Sequence, residues 1–180
     1  MTKFIAAVSL SLVCSATHAA DTAVRPYFRL NANVGYVKYE GVGGISVGGS
    51  GLVGAKFDDV AIGAQVFGAY IPSPSVPSSI KGTSLSMGYV GVGPNLTLYP
   101  ASFIYFSATP AWIDLLVSAT TKITGFPAFS GSGSASGFGG RIALGLLDAA
   151  QNVGVEVSFT PASISGTLFY DVAGGVVVAF

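Results

Sequence analysis

Residues 167–180 end the chain with the sequence TLFYDVAGGVVVAF. Its even-numbered positions are mostly bulky and apolar, whereas its odd-numbered positions are mostly small and include the carboxylate of Asp171. A period of two, with one apolar face and one small or polar face, is typical of a β-strand that separates two environments. We therefore expect Asp171 to face an enclosed interior, and Leu168 and Val172 to face an apolar surrounding.

The last residues of this strand carry a resemblance to a known family. Gly175, Val178 and Phe180 match the glycine, the apolar residue and the terminal aromatic residue of the assembly signal of bacterial outer-membrane β-barrels, although Ala173 stands at the position that is usually polar. The segment resembles the closing strand of small OmpA/OmpX/OmpW-like eight-stranded barrels. This resemblance implies contact with outer-membrane lipid and assembly by the outer-membrane insertion machinery.

The first 19 residues have the pattern of a secretory signal peptide, with Lys3 followed by an apolar run and then by small residues. The pattern predicts cleavage after Ala19, which leaves residues 20–180 as a single domain in the bacterial outer membrane. The apolar run, 4–13, is shorter than the roughly 20 residues that a spanning helix requires. A lipoprotein signal at Cys14 is the alternative, but a small residue is expected before such a cysteine and Val13 stands there.

Cleavage would remove the only cysteine and the only histidine of the chain. The remaining chain would have no disulfide, no zinc-type ligand cluster and no histidine to activate a serine, so we expect no enzyme, no cofactor and no metal site. We interpret Asp58 and Asp59 as a solvated turn. Without Lys3 the chain has seven basic and eight acidic side chains, and this balance indicates no nucleic-acid partner.

The composition is unusual for a soluble domain. Hydrophobic residues make up 51% and charged residues 9% of the chain, against about 25% charged in typical domains. Gly, Ser, Thr and Pro nevertheless interrupt every apolar run after residue 20 before it could span a membrane as a helix. An exported, apolar chain with β periodicity predicts an all-β fold, an eight-stranded antiparallel up-and-down transmembrane β-barrel with short periplasmic turns.

Alternation along the chain predicts the eight strands. They are residues 27–39, 45–57, 60–71, 83–99, 102–117, 134–146, 152–160 and 167–180. The turns after strands two, four and six are short, at 58–59, 100–101 and 147–151, and the other connections are loops at 40–44, 72–79, 118–133 and 161–165. A change of phase near Gly91 and Pro94 predicts a β-bulge. Strand 102–117 is apolar on both faces, so its orientation stays open.

Four charged side chains are predicted to form a charge network inside the barrel, namely Arg29, Arg141, Glu156 and Asp171. Counting back from the turn at 147–151 places Arg141 opposite Val157 and diagonal to Glu156, within reach of an ion pair. A buried charge without a partner is costly, which favours that pair. Arg29 and Asp171 lie on the two strands that must meet when the barrel closes, so we expect them to form a second pair.

The interior leaves two functions open. Salt bridges would plug a narrow barrel, which then serves as a non-enzymatic structural or interaction component of the cell envelope, a membrane anchor for partner proteins. Alternatively, small inward residues would leave a narrow channel for small or hydrophobic solutes. These small residues are Gly35, Gly48, Gly54, Gly63, Gly137, Gly139, Gly145, Gly154 and Gly175.

Two further observations bear on these hypotheses. Tyr27, Phe67 and Phe169 are aromatic side chains that could occupy the space beside the glycines. The loops carry few charges, which suggests a covering envelope protein or self-association. A soluble secreted β-sandwich is a third and more distant possibility.

Overall fold

The computed structural model describes residues 24–75, 83–121 and 129–180. They form eight strands, each antiparallel to the next, and the eighth pairs with the first, so the sheet closes into a barrel. The strands are β1 (Arg25–Tyr39), β2 (Val42–Phe57), β3 (Val60–Ile71), β4 (Thr83–Ala101), β5 (Ile104–Thr121), β6 (Phe129–Leu147), β7 (Val153–Ile164) and β8 (Thr167–Ala179). The predicted eight-stranded up-and-down barrel is confirmed. The predicted signal peptide lies outside the described residues, among which no helix is long and apolar enough to cross a membrane.

The barrel wall has an apolar outer face and a mixed inner face. On β1, the side chain of Arg29 is 1% exposed whereas that of its neighbour Leu30 is 57% exposed. The orientation of β5, which the sequence left open, is also regular, because Tyr105 is buried and Phe106 and Trp112 are exposed. A wall covered with exposed Val, Leu, Ile and aromatic side chains suits a lipid environment and not water.

Buried side chains fill the inside of the barrel in three layers. Apolar residues occupy the layer at one end, namely Val37, Phe67, Ala69, Ile71, Met87, Tyr89, Ala111, Ile113, Leu115, Ala162, Ile164 and Phe169. A second apolar cluster occupies the other end, with Tyr27, Leu52, Ala61, Tyr99, Tyr105, Leu147, Val177 and Ala179. Polar and charged side chains, among them Arg29 and Glu156, are buried between the two.

This layering corrects the prediction for β4. Met87 and Tyr89 are buried inside the barrel, whereas Leu96 and Leu98 are exposed on the outer wall. The apolar residues of β4 are thus odd-numbered where they fill the apolar layer inside the barrel and even-numbered where they cover the outer wall. The alternation of inward and outward side chains itself does not shift. The predicted bulge near Gly91 and Pro94 is wrong, since β3 pairs with β4 in one register throughout. The register shift in β4 occurs against β5, between Leu98 and Ala101.

The connections define two ends of the barrel. We call the end that carries Asp58–Asp59, Ser102–Phe103 and residues 148–152 the turn end, and the opposite end the loop end. At the loop end, the predicted loops 40–44 and 161–165 are two-residue turns, Glu40–Gly41 and Ser165–Gly166, with positive φ at all four residues. Such turns match the twist of a hairpin. The predicted turn at 100–101 lies instead at Ser102–Phe103.

Three strands extend beyond their neighbours at the loop end. β4, β5 and β6 have 19, 18 and 19 residues, whereas β3 and β7 have 12 each. β3 ends opposite Met87, and β7 ends opposite Gly137. We call the paired residues beyond these points, 83–86, 114–121 and 129–136, the protruding sheet. Of the predicted loop 118–133, residues 122–128 lie outside the described residues, and 118–121 and 129–133 are strand. Cross-strand pairing stabilises this Gly/Ser sequence, which has little strand propensity.

Three prolines interrupt the wall halfway along it. Pro94 of β4 lies opposite Pro110 of β5, and the ladder between these strands is absent at 93–95 and 109–111. Pro161 of β7 lies opposite Gly140 of β6, where that ladder is absent at 140–141 and 160–161. Proline has no N–H to donate, so these rungs cannot form. We call Pro94, Pro110, Gly140 and Pro161 the proline seam.

Candidate functional site

The polar layer contains an ion pair between Arg141 and Glu156. Arg141 Nη2 lies 2.5 Å from Glu156 Oε1, and the hydroxyl of Tyr105 donates to Glu156 Oε2 at 2.5 Å. The register differs from the predicted one, because Val157 lies opposite Leu144 and Glu156 opposite Gly145. Strand β6 thus ends later than expected, and the long side chain of Arg141 spans the extra distance along the wall.

The predicted pair between Arg29 and Asp171 does not form. Although β1 and β8 are neighbours, Arg29 lies opposite Ala179 and Asp171 lies opposite Val37, eight residues further along the strand. Asp171 accepts hydrogen bonds from the hydroxyls of Ser46, at 3.3 Å, and Tyr89. Strands β1 and β8 therefore pair in a register that separates Arg29 from Asp171.

Arg29 is held by neutral groups. Its guanidinium donates to Ser107 Oγ at 2.9 Å and to Thr97 Oγ1 at 3.5 Å, and its Cζ lies 4.5 Å from the centre of the Tyr105 ring. Tyr105 also donates to Glu156, so one aromatic side chain connects Arg29 with the ion pair. Two guanidinium groups and two carboxylates are thus enclosed in one layer, whose formal charges cancel.

Neutral polar side chains complete this layer, and the sequence analysis missed most of them. Asn95 Nδ2 donates to Ser107 Oγ and Thr109 Oγ1, both at 2.7 Å, and to Gln65 Oε1 at 3.2 Å. Ser107 and Thr109 lie on β5, the strand whose faces were not assigned. The alternation of Tyr105, Ser107 and Thr109 is the signal that could have found them.

Large rings occupy the space beside the inward glycines. A Cβ on Gly145 would clash with the Tyr105 ring, and one on Gly91 would clash with the Phe67 ring. At Gly139 and Gly154 a Cβ would instead meet a carbonyl oxygen of the adjacent strand. These glycines allow rings or neighbouring strands to approach closely, and none of the four opens the interior.

Five buried polar atoms in the described residues have no hydrogen-bond partner, namely Arg29 Nε, Asn31 Nδ2, Asn33 Oδ1, Gln65 Nε2 and Arg141 Nη1. Four of the five are donors, so the unpaired atoms of the polar layer are mainly donors. Within the described part of the chain, no three His, Cys, Asp or Glu side chains meet in a metal-ligand arrangement.

The residues of the predicted assembly signal lie on the closing strand. Gly175 sits between Asn33 of β1 and Glu156 of β7. Val178 lies opposite Leu30, and the backbone of Phe180 exchanges hydrogen bonds with Phe28, at 2.9 and 3.2 Å. These contacts join the last residues to the first strand; a role in assembly stays a prediction.

Comparisons with known proteins identify solved structures that share this fold. No family model matches the sequence, and no curated protein matches it. Among solved structures, the chain is similar to Ail, the attachment invasion locus protein of Yersinia pestis, with a TM-score of 0.60 and 10% identity over 86% of this chain and 97% of that one. A second structure of Ail, in complex with the heparin analogue sucrose octasulfate, has a TM-score of 0.56 and 11% identity over the same shares.

The chain is also similar to Neisserial surface protein A, with a TM-score of 0.52 and 13% identity over 88% of this chain and 99% of that one. At these identities the likeness shows the fold alone. The predicted resemblance to small eight-stranded outer-membrane barrels is therefore confirmed at the level of the fold.

Proposed function

We propose that this protein is a non-enzymatic barrel of the bacterial outer membrane that binds a partner protein through its protruding sheet. The observation that carries the proposal is the free edge of β6. In the described residues, 129–136 pair with β5 on one side and with no strand on the other, because β7 ends opposite Gly137. The likeness to outer-membrane barrels and the apolar outer wall support the location.

The filled interior supports an interaction role over transport. Phe169, Ile113, Leu115 and Tyr105 are at most 1% exposed and lie across the barrel at both ends. Side chains can just fill an eight-stranded barrel. A barrel filled in this way serves as a rigid base, and its contacts with other molecules must then come from its ends and its wall.

The edge of β6 has few features that would discourage pairing. Residues 130–136 read SGSGSAS, without proline or charge, which are the usual protections of an exposed strand edge. Small side chains on both faces also allow another backbone to approach in the plane of the sheet. An extended segment of a partner protein could therefore add as a further strand, bound mainly by main-chain hydrogen bonds.

The direction of the edge amides follows from the ladder. Pro110 pairs with Gly140 although it has no N–H, so the pair is of the non-hydrogen-bonded type, and both residues direct their main-chain groups to the strands on their far sides. The register of β5 and β6 continues without a shift to the ends of both strands. The N–H groups of even-numbered β6 residues, including Ser132 and Ser134, are thus directed toward the open edge.

We expect a photo-crosslinking amino acid at Ser132 to trap a discrete protein adduct in living cells. Adding Ser134→Pro should abolish the adduct, because proline removes an edge donor while leaving the β5–β6 bonds intact. Ser134→Ala is the matched control and should keep it. Adduct formation, followed by immunoblot and mass spectrometry, is the measurement. An adduct that survives Ser134→Pro, or one that forms equally from Phe103 at the turn end, would contradict the proposal.

The channel alternative is supported by the surplus of unpaired donors in the polar layer. Electrical recording distinguishes a channel from an interaction role. We expect the purified barrel in planar bilayers to give no stepwise conductance, because the apolar layers close both ends of the polar one. Phe169→Ala, which removes a ring at the loop end, should leave the record silent as well, since Tyr89 and Met87 remain. Regular conductance steps from the unmodified barrel would favour the channel.

A further inference from the structure

A small open cavity lies at the turn end of the barrel, away from the protruding sheet. Its volume is about 200 Å³, and the lining residues include Arg25, Pro26, Lys56, Tyr99, Leu147 and Gln151. The floor is aromatic, with the Tyr27 and Tyr99 rings edge to face at 6.3 Å and their hydroxyls 2.5 Å apart. We call this cavity the turn-end mouth.

Two cations border the mouth from adjacent strands. Arg25 and Lys56 are direct cross-strand partners in the β1–β2 ladder. Like charges placed opposite each other destabilise a sheet unless an anion lies between them. Among the described residues the one ion pair within 4.0 Å is that of Arg141 and Glu156. The carboxylates of Asp58, Asp59 and Phe180 therefore form no ion pair with either cation within this distance, although Asp59 attracts Lys56 from further away.

The position of Lys56 is fixed by two neighbours. Its ammonium lies 3.8 Å from the centre of the Tyr99 ring and donates to Gln151 Oε1 at 2.8 Å. Because the carbonyl oxygen of Gln151 accepts from Lys56, the rest of that amide group is a donor. Arg25 adds five more N–H groups. The mouth thus offers many donors, with an ammonium already held in place, and this is the chemistry that binds an oxyanion.

We propose that the turn-end mouth binds a carboxylate attached to a small apolar group, such as the last residue of a peptide chain. The carboxylate lies between Arg25 and Lys56, and the apolar group packs on Pro26, Leu147 and the Tyr99 ring. The volume suits one residue-sized group, because drug-sized ligands need about 300–1,000 Å³. The apolar lining distinguishes this ligand from a free phosphate, which shares the oxyanion but has nothing to place against it.

The test is a titration of the full barrel in detergent micelles with three probes: N-acetylalanine, its neutral amide N-acetylalaninamide, and inorganic phosphate. Backbone NMR shifts of Lys56, Tyr99 and Gln151 report binding. We expect saturable, millimolar binding of N-acetylalanine that weakens with added salt, and no comparable shifts with the amide. Equal binding of the amide, or phosphate binding as tight as the carboxylate, would overturn the proposal.

Variants of the two cations test whether N-acetylalanine binds in the turn-end mouth. Lys56→Gln should weaken N-acetylalanine binding about fivefold, and Arg25→Gln, whose side chain is more exposed, about threefold. Lys38→Gln is the control, because Lys38 is an exposed cation at the opposite end of β1. Unchanged affinity in both mouth variants, or an equal loss in the control, would show that the ligand binds elsewhere. Failure here leaves the protruding-sheet proposal untouched, since the two sites lie at opposite ends.

Discussion

Glu156→Ala should lower the free energy of unfolding by about 3–5 kcal/mol, because it leaves the Arg141 guanidinium buried without a counter-charge. It also removes the acceptor of the Tyr105 hydroxyl, so two buried donors lose their partner at once. Unfolding in urea from lipid vesicles measures the effect. The fluorescence of Trp112, the only tryptophan, reports the transition from the outer wall.

A double variant separates charge from packing. Arg141→Met combined with Glu156→Leu replaces the ion pair by apolar side chains of similar size, and such replacements are often neutral or stabilising. We therefore expect the double variant to recover most of the stability that Glu156→Ala loses. A loss below about 1 kcal/mol for Glu156→Ala would mean that water reaches the pair, because an exposed pair contributes about that little.

Ile142→Arg should destabilise the barrel in a bilayer by about 2–4 kcal/mol, the cost of a cation near the middle of the lipid-facing wall. Ile142 is 58% exposed and sits centrally in the apolar outward stretch of β6, which runs from Phe138 to Leu146. Beyond Phe138, toward the loop end, the outward residues of β6 are serines, from Ser136 to Ser130. The outward face of β6 thus changes from apolar to polar between Phe138 and Ser136.

Ser134→Arg is the matched control for this variant. It places the same side chain on the same face of the same strand, eight residues nearer the loop end, in the protruding sheet. We expect it to cost about 0–1 kcal/mol, as at a membrane interface or beyond. Equal, small costs at both positions in vesicle unfolding would contradict a lipid-embedded wall. Equal, large costs would contradict a sheet that extends out of the bilayer.

Much of the barrel follows from alternation alone. A charged residue such as Arg29 between Phe28 and Leu30 leaves only one orientation that avoids placing a cation in lipid. The same reasoning places Arg141, Glu156 and Asp171 inside. Counting alternating stretches then predicts eight strands, because each reversal needs turn residues such as Asp58 and Asp59.

Pairing across strands could not be predicted, because it depends on where each strand ends. Strand β7 continues through Pro161 to Ile164, since the ladder tolerates the missing N–H at the cost of two rungs. The 148–152 turn, whose centre lies later in the chain than that of the predicted turn at 147–151, sets the β6–β7 register and places Glu156 opposite Gly145. The partners of Arg29 depend likewise on the register of closure, which involves residues far apart in the chain.

The proline seam has a mechanical consequence for the hairpin of β5 and β6. This hairpin carries most of the protruding sheet, and its ladders to β4 and to β7 are both broken at mid-wall. We therefore expect the hairpin to bend most easily at Pro110 and Gly140, where the fewest rungs hold it to its neighbours. A force on the protruding sheet would then be transmitted to the wall beside Arg141, whose own rung to β7 is missing.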